Sequence, residues 1–304
     1  MRAFLRDLGI REGMLIYVQS SFGSLGYYPK GAAGFLDLLN ELVGPAGTLA
    51  MPSFPFGGSM EAFVATNPVF DVAQTPSKVG VLPEVLRQLQ GSKRSIHPTH
   101  SVIARGGRAA ELVEGHERCL TPQGDGSPFQ KLVQWGAYIL RIGTPAYPVC
   151  HHMQEVVRQP NLFLPDPVEL CCIDSAGRSV QVQTAVYRRR VPFLLYMDTV
   201  APGEAVAMNI IDFPLLFTGR EEDLRRDPSR HAAVDWLVGV RERFVAAGNL
   251  SVQKLNGCVC ELFPLRPSFE FAVSELPALF ERHSRLYEDP DSLLAALESG
   301  QVRI

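Results

Sequence analysis

The chain has 304 residues and a formal charge of −3, from 29 lysines and arginines against 32 aspartates and glutamates. Hydrophobic residues make up 46% of it and charged residues 20%, a balance typical of a globular protein with a buried core rather than of a disordered chain. The near-neutral charge gives no general attraction to nucleic acid or to anionic membranes, so we predict neither as a partner.

The N-terminal segment MRAFLRDLGIREG has charged residues between its apolar residues and contains no long apolar run. This is the pattern of neither a secretory signal nor a membrane span. We therefore predict a cytoplasmic protein.

The first elements along the chain alternate between strand and helix. The apolar run at residues 14–18 predicts a buried strand, and a loop of small residues follows it. Between residues 34 and 43 apolar residues recur at helical spacing, and Gly44-Pro45 ends that helix. Another apolar run, at residues 47–52, predicts the next strand. Strand, loop, helix and strand in this order predict a parallel βαβ unit with a right-handed crossover.

The rest of the chain continues the alternation and adds one hairpin. We predict a helix at 79–91, a strand at 137–143, a hairpin at 168–187, helices at 231–248, 275–283 and 291–300, and a charged, exposed connection at 217–230. These elements predict one domain, residues 1–304, built as an α/β/α sandwich around a mixed central sheet.

Two segments carry residues suited to ligand binding. The loop SSFGSLG, residues 20–26, lies between a predicted strand and a predicted helix, where backbone N–H groups receive anions such as phosphate. It has neither the G-x-G-x-x-G pattern nor a P-loop lysine, so an ordinary βα turn is the alternative. The segment KRSIHPTHSVIARGG, residues 93–107, places two histidines near two cations and two hydroxyls, and Pro98 forces His97 into an extended turn. Ligand-facing and structural roles both remain open for it.

A third segment, YPVCHHMQEVV, suits acid/base chemistry. If it is helical from Met153 onward, His152 and Glu155 share a face, so the carboxylate can accept from one ring nitrogen and leave the other basic. Such an imidazole can take a proton from an amine or a hydroxyl. A solvated pair on a helix surface is the alternative.

We predict no metal site. Cys150, His151 and His152 are consecutive, and adjacent residues rarely bind one tetrahedral ion together. The six cysteines are spread along the chain without the paired C-x-x-C spacing, so we expect small buried side chains rather than redox or metal-binding groups.

Five segments in register carry a family resemblance. They read VQSSFGSLG (18–26), GTLAMPS (47–53), RSIHPTHS (94–101), GDGSPFQKL (124–132) and VCHHMQE (149–155). They are similar to the motifs of the aminoglycoside 3-N-acetyltransferase family, also called the antibiotic N-acetyltransferase family. The similarity weakens beyond them and returns at residues 212–216 and 255–265.

The resemblance implies an acyl-CoA-dependent N-acyltransferase that uses acetyl-CoA or another acyl-CoA, with the antibiotic N-acetyltransferase fold rather than the GNAT fold. His152 would deprotonate a small-molecule amine acceptor, with Glu155 orienting it. A homodimer would be its assembly. The coenzyme A-binding residues that it implies are Ser20, Ser21, Phe22, Gly23, Ser24, Leu25, Arg94, Ser95, His97 and Ser101.

Two departures from the family pattern leave the acceptor open. Gln19 stands where members have histidine, and Val149 stands where they have threonine. The acceptor-side region, about residues 160–230, contains Tyr187 and the run Arg188, Arg189 and Arg190. The run favours an acceptor with a carboxylate or phosphate if it faces the pocket, and a solvated basic strand end is the alternative. An aminoglycoside, an amino sugar or another small amine, a biosynthetic nucleotide-linked or amino-acid-derived amine, and a non-catalytic acyl-CoA binding module all remain open.

Overall fold

The computed structural model describes residues 1–144, 149–188, 194–198, 205–209 and 250–282. Its helices are α1 (Arg2–Asp7), α2 (Gly31–Val43), α3 (Met60–Val64), α4 (Val81–Gln88), α5 (Ala109–Val113), α6 (Pro128–Gln134), α7 (Cys150–Val156) and α8 (Leu265–Arg282). Its strands are β1 (Leu15–Ser20), β2 (Thr48–Pro52), β3 (Phe70–Asp71), β4 (Lys93–Arg94), β5 (Val102–Gly106), β6 (Tyr138–Ile142), β7 (Val168–Ile173), β8 (Ser179–Thr184), β9 (Leu194–Asp198), β10 (Ala205–Asn209), β11 (Ser251–Leu255) and β12 (Cys258–Pro264).

Seven strands form the central sheet in the order β11-β12-β6-β1-β2-β5-β4. Its middle is parallel, because β1 pairs in parallel with both β2 and β6. The flanking pairs β2 with β5, β4 with β5, β6 with β12, and β11 with β12 are antiparallel. The predicted mixed sheet and its parallel βαβ unit are therefore confirmed.

Helices cover both faces of this sheet. Side chains alternate along β1, so Tyr17 joins one core while Ile16 and Val18 join the other. The first core is closed by apolar residues of α5, α6, α7 and α8, and the second by those of α1, α2 and α4. This is the predicted α/β/α sandwich.

Two smaller sheets lie outside the central one. The predicted hairpin is the antiparallel pair β7 and β8, to which β3 adds in parallel. Strands β9 and β10 form an antiparallel pair. The predicted helix at 275–283 is, as far as residue 282, the second half of α8. Among the described helices none is both long and apolar enough to cross a membrane.

Several predictions fall outside the described residues. They are the connection at 217–230, the helices at 231–248 and 291–300, the similarity at 212–216, and Arg189 and Arg190.

Candidate functional site

The topology brings the candidate segments to one edge of the sheet. The strands β1, β2 and β6 are parallel, so the chain after Ser20, after Pro52 and after Ile142 leaves from the same edge. Strand β5 runs antiparallel to β2 with Val102 opposite Pro52, which places the turn before Val102 at that edge as well. The loop at 20–26, the turn at 95–101 and helix α7 therefore share one rim, where open α/β sheets bind their ligands.

The loop after β1 presents some of its residues to solvent and buries others. Residues Phe22–Leu25 form a 3-10 turn in which Leu25 joins the core, while Ser21 and Gly23 are exposed. The Ser24 hydroxyl donates to the Ser21 carbonyl over 2.7 Å and lies 3.1 Å from Cys258 Sγ. Half-buried Ser20 ends β1. The exposed backbone at Ser21 and Gly23 is the part of this loop suited to receive a ligand.

Arg94 occupies a buried structural position. Its guanidinium donates to the carbonyl oxygens of Val72, Thr75 and Ser53, and it lies over the Phe70 ring at 4.6 Å. These bonds join three separate chain segments, and they favour a structural role over contact with a cofactor.

The hydroxyls of Ser95 and Ser101 are also engaged within the protein. Ser95 Oγ accepts from the Val102 N–H over 2.8 Å and lies 2.9 Å from His116 Nδ1, to which it donates. Ser101 Oγ donates to the Ser95 carbonyl over 2.8 Å. Both side chains are buried, so their arrangement likewise favours a structural role.

His97 is fully buried with both ring nitrogens bonded. Its Nδ1 accepts from the N–H groups of Thr99 and His100, so Nε2 carries the proton and donates to Thr184 Oγ1 over 3.3 Å. The ring stacks on His116 at 4.3 Å. Among the ten predicted cofactor-binding residues, the exposed ones thus belong to the loop at 20–26.

The expected pairing of His152 with Glu155 is wrong in its geometry. No hydrogen bond joins these two described residues: the Glu155 carboxylate accepts from Thr121 Oγ1 over 2.6 Å and from the Tyr187 hydroxyl. A shared helix face brings the two side chains near each other, but Thr121 and Tyr187 offer better-placed donors. Burial raises the pKa of Glu155 above its usual range.

His152 itself is buried and has one unsatisfied ring nitrogen. Its ring stacks on Phe269 at 5.1 Å, its backbone N–H donates to Gln123 Oε1 over 3.0 Å, and its Nδ1 has no hydrogen-bond partner among the described residues. Burial lowers the pKa of His152, so the ring is neutral near pH 7. A neutral buried imidazole with a nitrogen left unpaired is equipped to accept a proton.

Sequence reasoning missed the residues that surround Glu155. Thr121 and Tyr187 lie 34 and 32 residues away along the chain, and no local pattern marks them. Gly124 in the GDGSPFQKL segment was a sequence signal for close packing around Glu155, because a side chain at this position would collide with Thr121 Oγ1 and Glu155 Oε2. Ser127 in the same segment caps α6 by accepting from the Gln130 N–H.

Four histidines with lowered pKa values, three of them buried and His151 partly buried, predict a steep loss of stability in acid. Burial lowers the pKa of His97 and His100 well below 6.5, that of His116 to about 3 and that of His151 to about 4. The pKa of each histidine is lower in the folded protein than in the unfolded chain. The free energy of unfolding therefore has its full value above pH 6.5 and falls as the pH drops toward the folded pKa values. Each should remove about 1.4 kcal/mol of unfolding free energy per pH unit well below pH 6.5.

Urea unfolding at several pH values between 6.5 and 5 measures this slope. The variant His151→Gln should show a slope that is smaller by about one proton, or about 1.4 kcal/mol per pH unit. Stability that does not change with pH over this window would contradict the neutral state of the cluster.

Comparison with known proteins places this site in a family. A sequence model described as aminoglycoside 3-N-acetyltransferase matches residues 17–276, which include every segment of the rim. The chain belongs to the aminoglycoside 3-N-acetyltransferase family. The resemblance drawn from the five segments is thereby confirmed.

Relatives of this family match in sequence and in fold. Aminoglycoside N(3)-acetyltransferase III of Serratia marcescens is 34% identical over 173 residues, which are 52% of this chain and 64% of that protein. The match spans less than two thirds of the length of this and the next curated relatives. Sisomicin-bound AAC-VIa superposes with a TM-score of 0.66 at 22% identity over 91% of this chain and 96% of that one. The structure of AAC-IIIb with CoASH superposes with a TM-score of 0.63 at 21% sequence identity, over 92% of this chain and 95% of that one. The solved structures confirm the antibiotic N-acetyltransferase fold.

Proposed function

We propose that the protein is an acyl-CoA-dependent N-acyltransferase that acetylates an amino group of an aminoglycoside, an amino sugar or another small amine, with His152 as general base. Family membership supports the reaction class, and the solved relative AAC-IIIb was crystallised with CoASH. The observation that carries the proposal is the neutral imidazole of His152 at the rim of the sheet, with an Nδ1 that has no hydrogen-bond partner among the described residues.

The residues of the rim have different roles in the proposed acyl transfer. The amine nitrogen attacks the thioester carbonyl, so a C–N bond forms and the C–S bond breaks, while the amine proton passes to His152 and from there to the leaving thiolate. Donors near the carbonyl oxygen would stabilise the charge that develops on it. Glu155 is a positioning residue in this scheme, because it ties Thr121 and Tyr187 to α7 rather than bonding to His152.

The loop at residues 20–26 fits the phosphate and pantetheine part of coenzyme A. Its exposed residues follow β1 directly, and a Cβ at Gly23 would meet no heavy atom within 4 Å, so the space above that backbone is open to a ligand. A phosphate there would accept from backbone N–H groups.

Substitution at Gly23 tests the coenzyme A site. We expect Gly23→Val to fold normally, because a Cβ at this position meets no heavy atom within 4 Å, and to weaken coenzyme A binding by about tenfold or more by blocking close approach to the backbone. Gly23→Ala, with a single added carbon, is the matched control and should bind more tightly than Gly23→Val. Titration calorimetry measures both affinities.

A thiol-release assay over a panel of amines tests the activity itself. Wild-type protein should stabilise on addition of coenzyme A, as expected for any ligand that binds the folded state, and should release thiol from acetyl-CoA only when an accepted amine is present. Absence of coenzyme A binding would overturn the proposal. Tight coenzyme A binding without release on any amine would instead favour a non-catalytic acyl-CoA binding module.

A further inference from the structure

Helix α7 carries the proposed base in its first turn and has no side-chain cap of its own. Val149 precedes the helix, is buried, and has no side-chain oxygen that could accept a hydrogen bond. His152 is the third residue of α7, so its N–H belongs to the group of N-terminal donors that have no acceptor within a helix. The helix is only 7 residues long, and helices of this length depend on contacts with the rest of the protein.

The side chain of Gln123 supplies the missing acceptor. Its Oε1 accepts from the His152 N–H over 3.0 Å, although the two residues are 29 positions apart. A side-chain oxygen bonded to the third N–H of a helix takes the role of an N-terminal capping residue. Gln123 is only 2% exposed, so water has little access to this bond.

The main chain of Gln123 faces the side chains of α7 as well. Burial raises the pKa of Glu155, whereas hydrogen bonds from the side chains of Thr121 and Tyr187 lower it. The backbone of Gln123 also lowers the pKa of Glu155, which identifies its N–H as a donor to the carboxylate. Burial lowers the pKa of His152, and the backbone of Gln123 raises it, which identifies its carbonyl oxygen as the group that faces the ring.

The segment on either side of Gln123 packs closely against α7. Thr121 Oγ1 donates to Glu155 Oε2 over 2.6 Å, and a Cβ at Gly124 would come within 2.7 Å of the same oxygen. Residues 121–124 therefore have little room to move relative to the helix. Gln123 holds His152 from a fixed support.

We propose that Gln123 is a positioning residue for the acyl transfer, because its Oε1 accepts from the His152 N–H and so fixes the first turn of α7 and the direction of the His152 imidazole. The inference rests on the role of His152 proposed above and adds a residue that acts through it. A reacting group displaced by about 1 Å can lose up to about a hundredfold in rate, so loss of this hydrogen bond should lower kcat.

Two substitutions at Gln123 separate the hydrogen bond from the size of the side chain. Gln123→Met has a similar length but no oxygen, whereas Gln123→Glu keeps an oxygen at the end of the side chain. With an amine that the wild type accepts in the thiol-release assay, Gln123→Met should lower kcat about tenfold or more and leave the KM for acetyl-CoA unchanged. Gln123→Glu should keep kcat within about threefold of wild type.

Gln130→Met is the matched control. Gln130 lies in the neighbouring helix α6 and bonds to Asp125 and to the Gly126 N–H rather than to α7. The same substitution at this position should therefore leave kcat unchanged. Unchanged kcat in a folded Gln123→Met protein, or an equal loss in Gln123→Met and Gln123→Glu, would overturn the assignment.

Hydrogen exchange of the His152 amide tests the contact without turnover. In the wild type this amide should be protected, because an uncapped donor in the first turn of a helix exchanges quickly. In Gln123→Met it should exchange about tenfold faster or more, and in Gln123→Glu and Gln130→Met at the wild-type rate. An unprotected His152 amide in the wild type would overturn the assignment even if Gln123→Met does not fold. If the wild type releases no thiol with any amine, the acyltransferase proposal fails, and faster exchange in Gln123→Met would still support the hold of Gln123 on α7.

Discussion

Replacing His152 by alanine should lower kcat for acyl transfer by about 10²–10⁴-fold, the usual contribution of a positioned general base, and should leave a residual rate. The acceptor amine must lose a proton as it attacks the thioester, and the neutral imidazole of His152 is the group proposed to take it. Coenzyme A affinity should remain unchanged, because the residues proposed to hold it lie in the loop after β1. Steady-state kinetics and calorimetry measure the two quantities separately.

Two further variants test whether the lower kcat comes from the missing base or from disturbed packing. Because the His152 ring stacks on Phe269, alanine leaves a gap, whereas His152→Gln fills most of the space and still lacks the basic nitrogen. His152→Ala and His152→Gln should show a similar reduction of kcat, whereas Val156→Ala on the same helix should keep the kcat of the wild type. Normal kcat in a folded His152→Gln protein would show that another group removes the proton.

Replacing Glu261 by alanine should destabilise the fold by about 3–5 kcal/mol, because it leaves a buried guanidinium without its carboxylate. Arg141 and Glu261 face each other across β6 and β12, their charged atoms are 2.7 Å apart, and each side chain is only 1% exposed. Arg141 also lies over the Phe263 ring at 4.9 Å. Urea unfolding of wild type and Glu261→Ala measures the difference.

The comparison with a surface pair shows whether burial is the cause. Arg108 and Glu111 form an ion pair with side chains 41% and 59% exposed, and Glu111→Ala should change the free energy of unfolding far less than Glu261→Ala does. The double variant Arg141→Leu/Glu261→Leu should recover much of the lost stability, since it removes both buried charges together. Equal effects of Glu261→Ala and Glu111→Ala would contradict this account.

Local sequence patterns predicted the elements around the central sheet because buried side chains recur in them at a regular spacing. The apolar run that became β1 and the helical spacing that became α2 each record which side chains face a core, and neighbours along the chain suffice to detect that period. The parallel βαβ unit followed from the order of these elements, and the pairing of β1 with β2 confirms it.

Patterns of polar residues were less informative about roles. The turn at 95–101 holds hydroxyls and imidazoles of the types that bind ligands, yet Ser95 bonds to His116, which is 21 residues away, and His97 bonds to Thr184, which is 87 residues away. A buried polar group must be paired, and an internal partner meets that need as well as a ligand does. The sequence does not show which of the two it is.

The sequence by itself therefore determined the family and the layered fold, because short-range periodicity and five ordered segments carry that information. Only the tertiary structure decided that the loop at 20–26 and α7 share one rim, and that Glu155 bonds to Thr121 and Tyr187 rather than to His152. These contacts join residues from distant parts of the chain, and side-chain hydrogen bonds form wherever packing places the better donor.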